Sequence, residues 1–248
     1  MKKLFLMLLF SSLLLAKDEF LFYCGITMVK PMSKIAKIIE KKYNIKIVII
    51  QGGSGDLYDS LVNSKKGDLY LPGSFSFIKK HENEHIFDYY KYVGYNQLAI
   101  FVKPNNPKNI KSLKDLTRDD LLVSLGNPET CSMGKESVRV LKKYGGESFL
   151  YKVEDNIVIF ASDSRDFNQM LKDGKIDTGL NWKATAFFPN NKNKIEIITI
   201  PEKYAPKNDL YLAVLSFSKH KDIAKAFVDY VISPKGQKIM KEYGFIDD

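Results

Sequence analysis

The chain alternates short apolar runs with stretches whose apolar residues recur every three or four positions. FLFYCGI (residues 20–26) is followed by Thr27 and then by Pro31, Met32, Ile35 and Ile39 at helical spacing, with Pro31 suited to a first helical turn. IKIVII (45–50) passes through Gly52, Gly53 and Ser54 into the helical series Leu57, Leu61 and Val62. DLYLPGS (68–74) reads as a third strand entering a tight turn at Pro72 and Gly73. Strands that alternate with helices predict a parallel α/β sheet.

From Gly94 the run GYNQLAIFVKP predicts one strand followed by a Pro/Asn-rich loop, a crossover to a second domain. The same order then recurs. DLLVSLGNPETCSMGKESVRVLKKYGG (120–146) predicts strand, loop and a helix from about Met133 closed by Gly145. VIFASDSRDFNQMLKDGKIDTGLNW (158–182) predicts a strand, a cap at Ser164, a short helix stopped near Gly174, and another strand. IEIITIPEKYAP (195–206) carries the chain back, and AKAFVDYVISPKGQKIMKEYGF (224–245) predicts two helices split by Ser233 and Pro234.

The N-terminus departs from this grammar. Lys2 and Lys3 precede an apolar run ending at Ala16, about the length of a signal-peptide core and too short to span a bilayer comfortably, so residues 1–16 are read as a cleaved export signal. A lipoprotein reading fails because Tyr23 precedes Cys24 inside a strand. About 230 residues remain, enough for one large or two modest domains. The formal charge of +9 is spread over lysines along the helices, with no basic block interleaved with aromatics, which argues against a nucleic-acid footprint. Export permits a disulfide between Cys24 and Cys131, but both fall where opposite walls of a cleft are expected, and they are read as separate thiols.

The stretch IIQGGSGDLYDSL (49–61) lacks the Gly-Lys followed by Ser or Thr of a P-loop and the wider glycine spacing of a dinucleotide loop. Thr27, Ser54, Ser132 and Ser164 share one address, between the carboxyl end of a strand and the first turn of a helix. In open α/β sheets ligands bind at that edge. Any one such residue is read first as a helix cap. Four of them in two halves point to hydroxyls, backbone N–H groups and positive helix ends converging on a small desolvated anion.

The segments YCGITMVKPMSKIAKII, QGGSGDLYDSL, GDLYLPGS, LGNPETCSMGKES, ASDSRDFNQMLKDGKIDTGLNWKATA and SPKGQKIMKEYGF, in this order, resemble the periplasmic molybdate-binding proteins of ABC importers over nearly the whole mature chain. The resemblance implies a two-lobed α/β periplasmic-binding-protein-like fold with crossings near residues 94–98 and 199–204. Residues 17–95 with 204–248 form one lobe, and residues 96–203 form the other. It implies a periplasmic monomer that binds a tetrahedral oxyanion, most of all molybdate or tungstate, and delivers it to permease subunits driven by an ATPase. No catalysis, cofactor, metal or nucleic acid enters this reading. By position, ligand hydroxyls fall on Thr27 and Ser54, backbone donors near Gly73, Met133 and Ser164, and the family's ligand tyrosine on Trp182, which offers an indole N–H in place of a phenol. Gly53, Ser132 and Arg165 are additional candidates, and Trp182 reads equally as core. A small carboxylate or phosphate metabolite held by Arg165, or sulfate, is the alternative ligand.

Other motifs compete with this reading. HENEH (81–85) matches the zincin pattern, with His81 and His85 as ligands and Glu82 as base, and supplies a zinc-hydrolase alternative. No third ligand pattern follows it. Lys135 and Lys183 flank the expected cleft, Asp163 and Asp166 read as surface acids at a helix start, and His220 between Lys219 and Lys221 reads as solvent-facing.

Overall fold

A computed structural model describes residues 19–129 and 132–246. The export-signal expectation at 1–16 and the expectation for Cys131 lie outside the described residues.

Among the described residues ten strands and seven α-helices follow one another. The strands are β1 (Phe20–Gly25), β2 (Ile47–Gly52), β3 (Leu69–Leu71), β4 (Phe87–Asn96), β5 (Leu98–Val102), β6 (Val123–Gly126), β7 (Ile157–Ala161), β8 (Thr178–Trp182), β9 (Glu196–Thr199) and β10 (Asn208–Leu215). The helices are α1 (Val29–Tyr43), α2 (Ser54–Ser64), α3 (Ser76–Lys80), α4 (Ser132–Glu154), α5 (Ser164–Lys172), α6 (Lys221–Ile232) and α7 (Pro234–Glu242). Two five-stranded sheets result, ordered β2-β1-β3-β10-β4 and β7-β6-β8-β5-β9. The molecule is accordingly two-lobed, with a parallel trio in each sheet (β2-β1-β3 and β7-β6-β8) and antiparallel neighbours beyond it.

Alternation along β1 divides the first lobe's apolar residues between two faces. Phe20, Phe22 and Cys24 join a core under α1, α6 and α7, whereas Tyr23 turns to the opposite core with Leu57, Leu61 and Tyr70. Phe22 meets Phe227 of α6 edge to face, with ring centres 5.3 Å apart. Cys24 is a free thiol in this core, and burial pushes its pKa well up. The second lobe has its own core, in which Phe101 and Phe167 cross at 89°.

The chain crosses between sheets at Gln97 and again over residues 200–207. Gln97 ties the crossings together, because its Nε2 donates to the Ala205 carbonyl at 2.8 Å. GYNQLAIFVKP is therefore two strands in different sheets, where its unbroken apolar pattern predicted one. α4 also outruns its predicted stop. The chain breaks helical geometry at Gly145 and, with φ +75°, at Gly146, then resumes helix to Glu154. β10, unpredicted, lies between β3 and β4 in the first sheet.

Candidate functional site

The two parallel trios bring their carboxyl ends to the turns that hold the candidate residues. In the first lobe Gly25 pairs with Gly52 and Cys24 with Leu71, so the turns after β1, β2 and β3 are neighbours. They carry Thr27, Ser54 and Gly73. The Gly73 N–H donates to Ser54 Oγ at 2.9 Å, and the Tyr70 hydroxyl donates to the Ser54 carbonyl at 2.8 Å. Burial first, with nearby acidic groups, raises the Tyr70 phenol so that it stays a donor. Ser54 does not cap α2. That place belongs to Gly53, whose backbone is extended and makes no side-chain cap bond. Because Ser54 Oγ accepts from Gly73, its own proton is left for a further acceptor. Thr27 is buried in a one-turn 3-10 segment, and its hydroxyl donates to Met28 Sδ at 2.9 Å.

In the second lobe the turns after β6 and β7 carry Ser132, Met133 and Ser164. Gly134 lets the start of α4 close onto β6, since a Cβ there would collide with the Gly126 carbonyl. Met133 is fully buried, and its sulfur accepts from Ser164 Oγ at 3.6 Å, while Ser132 is exposed. The cap of α5 is Asp163, not Ser164. Its carboxylate accepts from the N–H groups of Arg165 and Asp166 and holds the Arg165 guanidinium at 2.8 and 3.2 Å. Burial pushes the Asp163 carboxyl up, but these hydrogen bonds and the guanidinium charge outweigh it and hold the group below its ordinary value. Trp182 is buried in the second lobe's core, with its backbone N–H, not its indole, donating to Asn181 Oδ1. Three residues on, Thr185 faces the cleft.

Between the lobes lies a cavity of about 310 Å³, walled by Thr27, Lys30 and Gln51 on one side and by Ser164, Arg165, Lys172 and Thr185 on the other. Of the candidates, Thr27, Ser164 and Arg165 line it. Ser54, Gly73, Gly53, Ser132, Met133 and Trp182 are not in its wall. Sequence reasoning missed Lys30 and Lys172. The available signal was spacing: Lys30 lies three residues beyond Thr27, and Lys172 lies two helical turns beyond Ser164.

The competing motifs resolve differently. Residues 82–84 form a single 3-10 turn and His85 has φ +54°, so HENEH does not present two histidines on one α-helical face. His81 instead stacks on Tyr58 with ring centres 3.8 Å apart and bonds Glu84. Among the described residues no group of three or more His, Cys, Asp and Glu side chains is placed to hold a metal ion. His220 is not solvent-facing. Its Nδ1 lies 3.1 Å from the buried Asp68, which also accepts from Ser218 Oγ at 2.6 Å. The serine proton points to the carboxylate and not to the imidazole, so this trio is a structural clasp between the strand ends and α6.

Sequence and structure comparisons agree on the architecture. A Haemophilus influenzae protein named for a binding role is 24% identical over 93% of this chain and 91% of its own. The molybdate-binding protein ModA of Azotobacter vinelandii is 23% identical over 87% of this chain and 84% of its own. The solved periplasmic molybdate-binding protein of Azotobacter vinelandii superposes with a TM-score of 0.77 at 18% identity, covering 93% of this chain and all of that one. The family model described as bacterial extracellular solute-binding protein matches residues 20–246, and the chain belongs to that family.

Proposed function

We propose that the protein captures a tetrahedral oxyanion in the cleft between its lobes and passes it to the permease subunits of an ABC importer, acting outside the cytoplasm as a monomer after removal of residues 1–16. No bond is broken and no cofactor is used. One observation carries this reading: the hydroxyls of Thr27 and Ser164, on opposite walls of one cavity, each donate to a methionine sulfur. A thioether is a weak acceptor. An oxyanion oxygen is a far stronger one, so both donors stand ready for it. Ser54 lies in the adjoining turn, outside this wall, with its proton uncommitted to Gly73. The positive ends of α1 and α5, which border the cavity, favour negative charge nearby.

Molybdate and tungstate lead the candidates because the relative from Azotobacter vinelandii is named for molybdate. A second reading, an anion carried on a small metabolite, is favoured by Arg165 in the cavity wall. A thermal-shift screen of molybdate, tungstate, sulfate, phosphate and small organic acids tests the proposal. A ligand at ~100 times its dissociation constant adds ~2.7 kcal/mol to stability, a readily measured rise in Tm. No shift with any anion would overturn the proposal.

A further inference from the structure

The cavity wall carries more charge than a bare oxyanion requires. Its charged residues are Lys30, Arg165, Lys172 and Asp163. Arg165 is committed to Asp163 through two contacts, and among the described residues neither Lys30 nor Lys172 is paired with a carboxylate. They come from opposite lobes, Lys30 from the first turn of α1 and Lys172 from the last residue of α5. Lys30 stands at the positive end of its helix, where a cation is disfavoured. Its Nζ rests over the Phe188 ring, 4.7 Å from the centre, which fixes the head group beside the cavity. Burial first, then the facing charge of Lys172, lowers its pKa. Two like charges thus confront each other across the gap, where the one wall carboxylate among the described residues, Asp163, is already paired with Arg165.

Size points the same way. A five-atom oxyanion displaces the share of only about two or three waters, at ~30 Å³ each. The cavity holds about 310 Å³, at the lower end of the range that encloses small organic ligands, about 300–1,000 Å³. Room and positive charge remain beside the neutral hydroxyls.

Resting on the reading of the cleft as the binding site, we infer that Lys30 and Lys172 form a second anion subsite that takes a carboxylate, so that the preferred ligand is a small phosphorylated carboxylic acid. Its phosphate sits on the Thr27 and Ser164 hydroxyls and its carboxylate between the two lysines. Such a ligand neutralises the repulsion across the gap and bridges both lobes twice.

Calorimetric titration of the mature protein with phosphoglycolate, inorganic phosphate, glycolate and molybdate decides the matter, run on the wild type, the Lys30→Gln/Lys172→Gln double variant and Thr27→Val. Charge-assisted bonds to one more anionic group make phosphoglycolate about tenfold or more tighter than phosphate. The double glutamine variant loses that preference, while Thr27→Val weakens both phosphate-bearing ligands alike. The double variant's melting point should not fall, since it removes a repulsion. A wild type that binds molybdate or phosphate as tightly as phosphoglycolate, or a preference that survives the lysine changes, overturns the second subsite and leaves the oxyanion cleft standing. Failure of all four anions to bind brings down both readings.

Discussion

Thr27 shows what a single hydroxyl contributes. Its bond to Met28 Sδ gives the fold little, because sulfur accepts weakly. Thr27→Val keeps shape and volume, so the melt should stay near normal while oxyanion affinity drops by roughly one to two orders of magnitude, the range for a lost bond to a charged group. A lowered melt with unchanged affinity would return Thr27 to a purely structural role. Asp163 is the opposite case. Held below its ordinary value, it contributes stability that is present above the unfolded carboxylate pKa, near ~4, and lost as pH falls through the lower folded value. Asp163→Ala should cost about 1 kcal/mol at neutral pH, the usual effect of removing a cap, and progressively less in acid. Denaturant titrations at several pH values check this, and a pH-independent loss would contradict it. The strand-turn-helix order gave four turn hydroxyls one address, but only Thr27 and Ser164 line the cavity, because the order fixes the turn and not which turns face the other lobe. Lys30 and Lys172 had only their helical spacing from Thr27 and Ser164 to mark them, a weak signal because a lysine on a helix looks the same whether it meets solvent or a charge on another lobe.

At the scale of elements, legibility followed the local signals. The helices α6 and α7 were marked by Ser233 and Pro234, and the structure has Ser233 Oγ accepting from the Gly236 N–H. Gly145 was a sound sign of a break in α4 but not of its end, since a two-residue kink lets the helix resume. β10 escaped because its partners are β3 and β4, distant in sequence, and no turn chemistry announces a strand whose pairing is wholly tertiary. HENEH shows the converse, a motif legible as letters but not realised as an α-helix. Replacing His81 and His85 together with alanine should leave anion affinity unchanged while removing the Tyr58 stack and the Glu84 bond. Stoichiometric zinc in the wild type, absent from the double variant together with a hydrolytic activity, would replace transport with catalysis.

For the whole molecule, the repeated strand-turn-helix order announced two similar halves, but not that β10 leaves one sheet's sequence neighbourhood to complete the other sheet. That exchange matters mechanically. Among the described residues Gln97 and residues 200–207 are the two links between the sheets along the chain, and the Gln97 side chain couples them through Ala205. Few covalent paths and one shared hydrogen bond suit a hinge, with the cavity on the side where Thr27 and Lys30 face Ser164 and Lys172. In the free state the two lysines repel across that gap, which favours opening; an anion held by both walls reverses the sign of the interaction and favours closure through contacts made only in the closed population. Small-angle scattering with a calorimetrically saturating anion should therefore record a smaller radius of gyration than the free protein. The Lys30→Gln/Lys172→Gln variant should show a smaller change on binding, since its free state no longer carries the repulsion. Identical scattering profiles for the free and saturated wild type would mean that the lobes do not move and that the cleft binds as a rigid pocket.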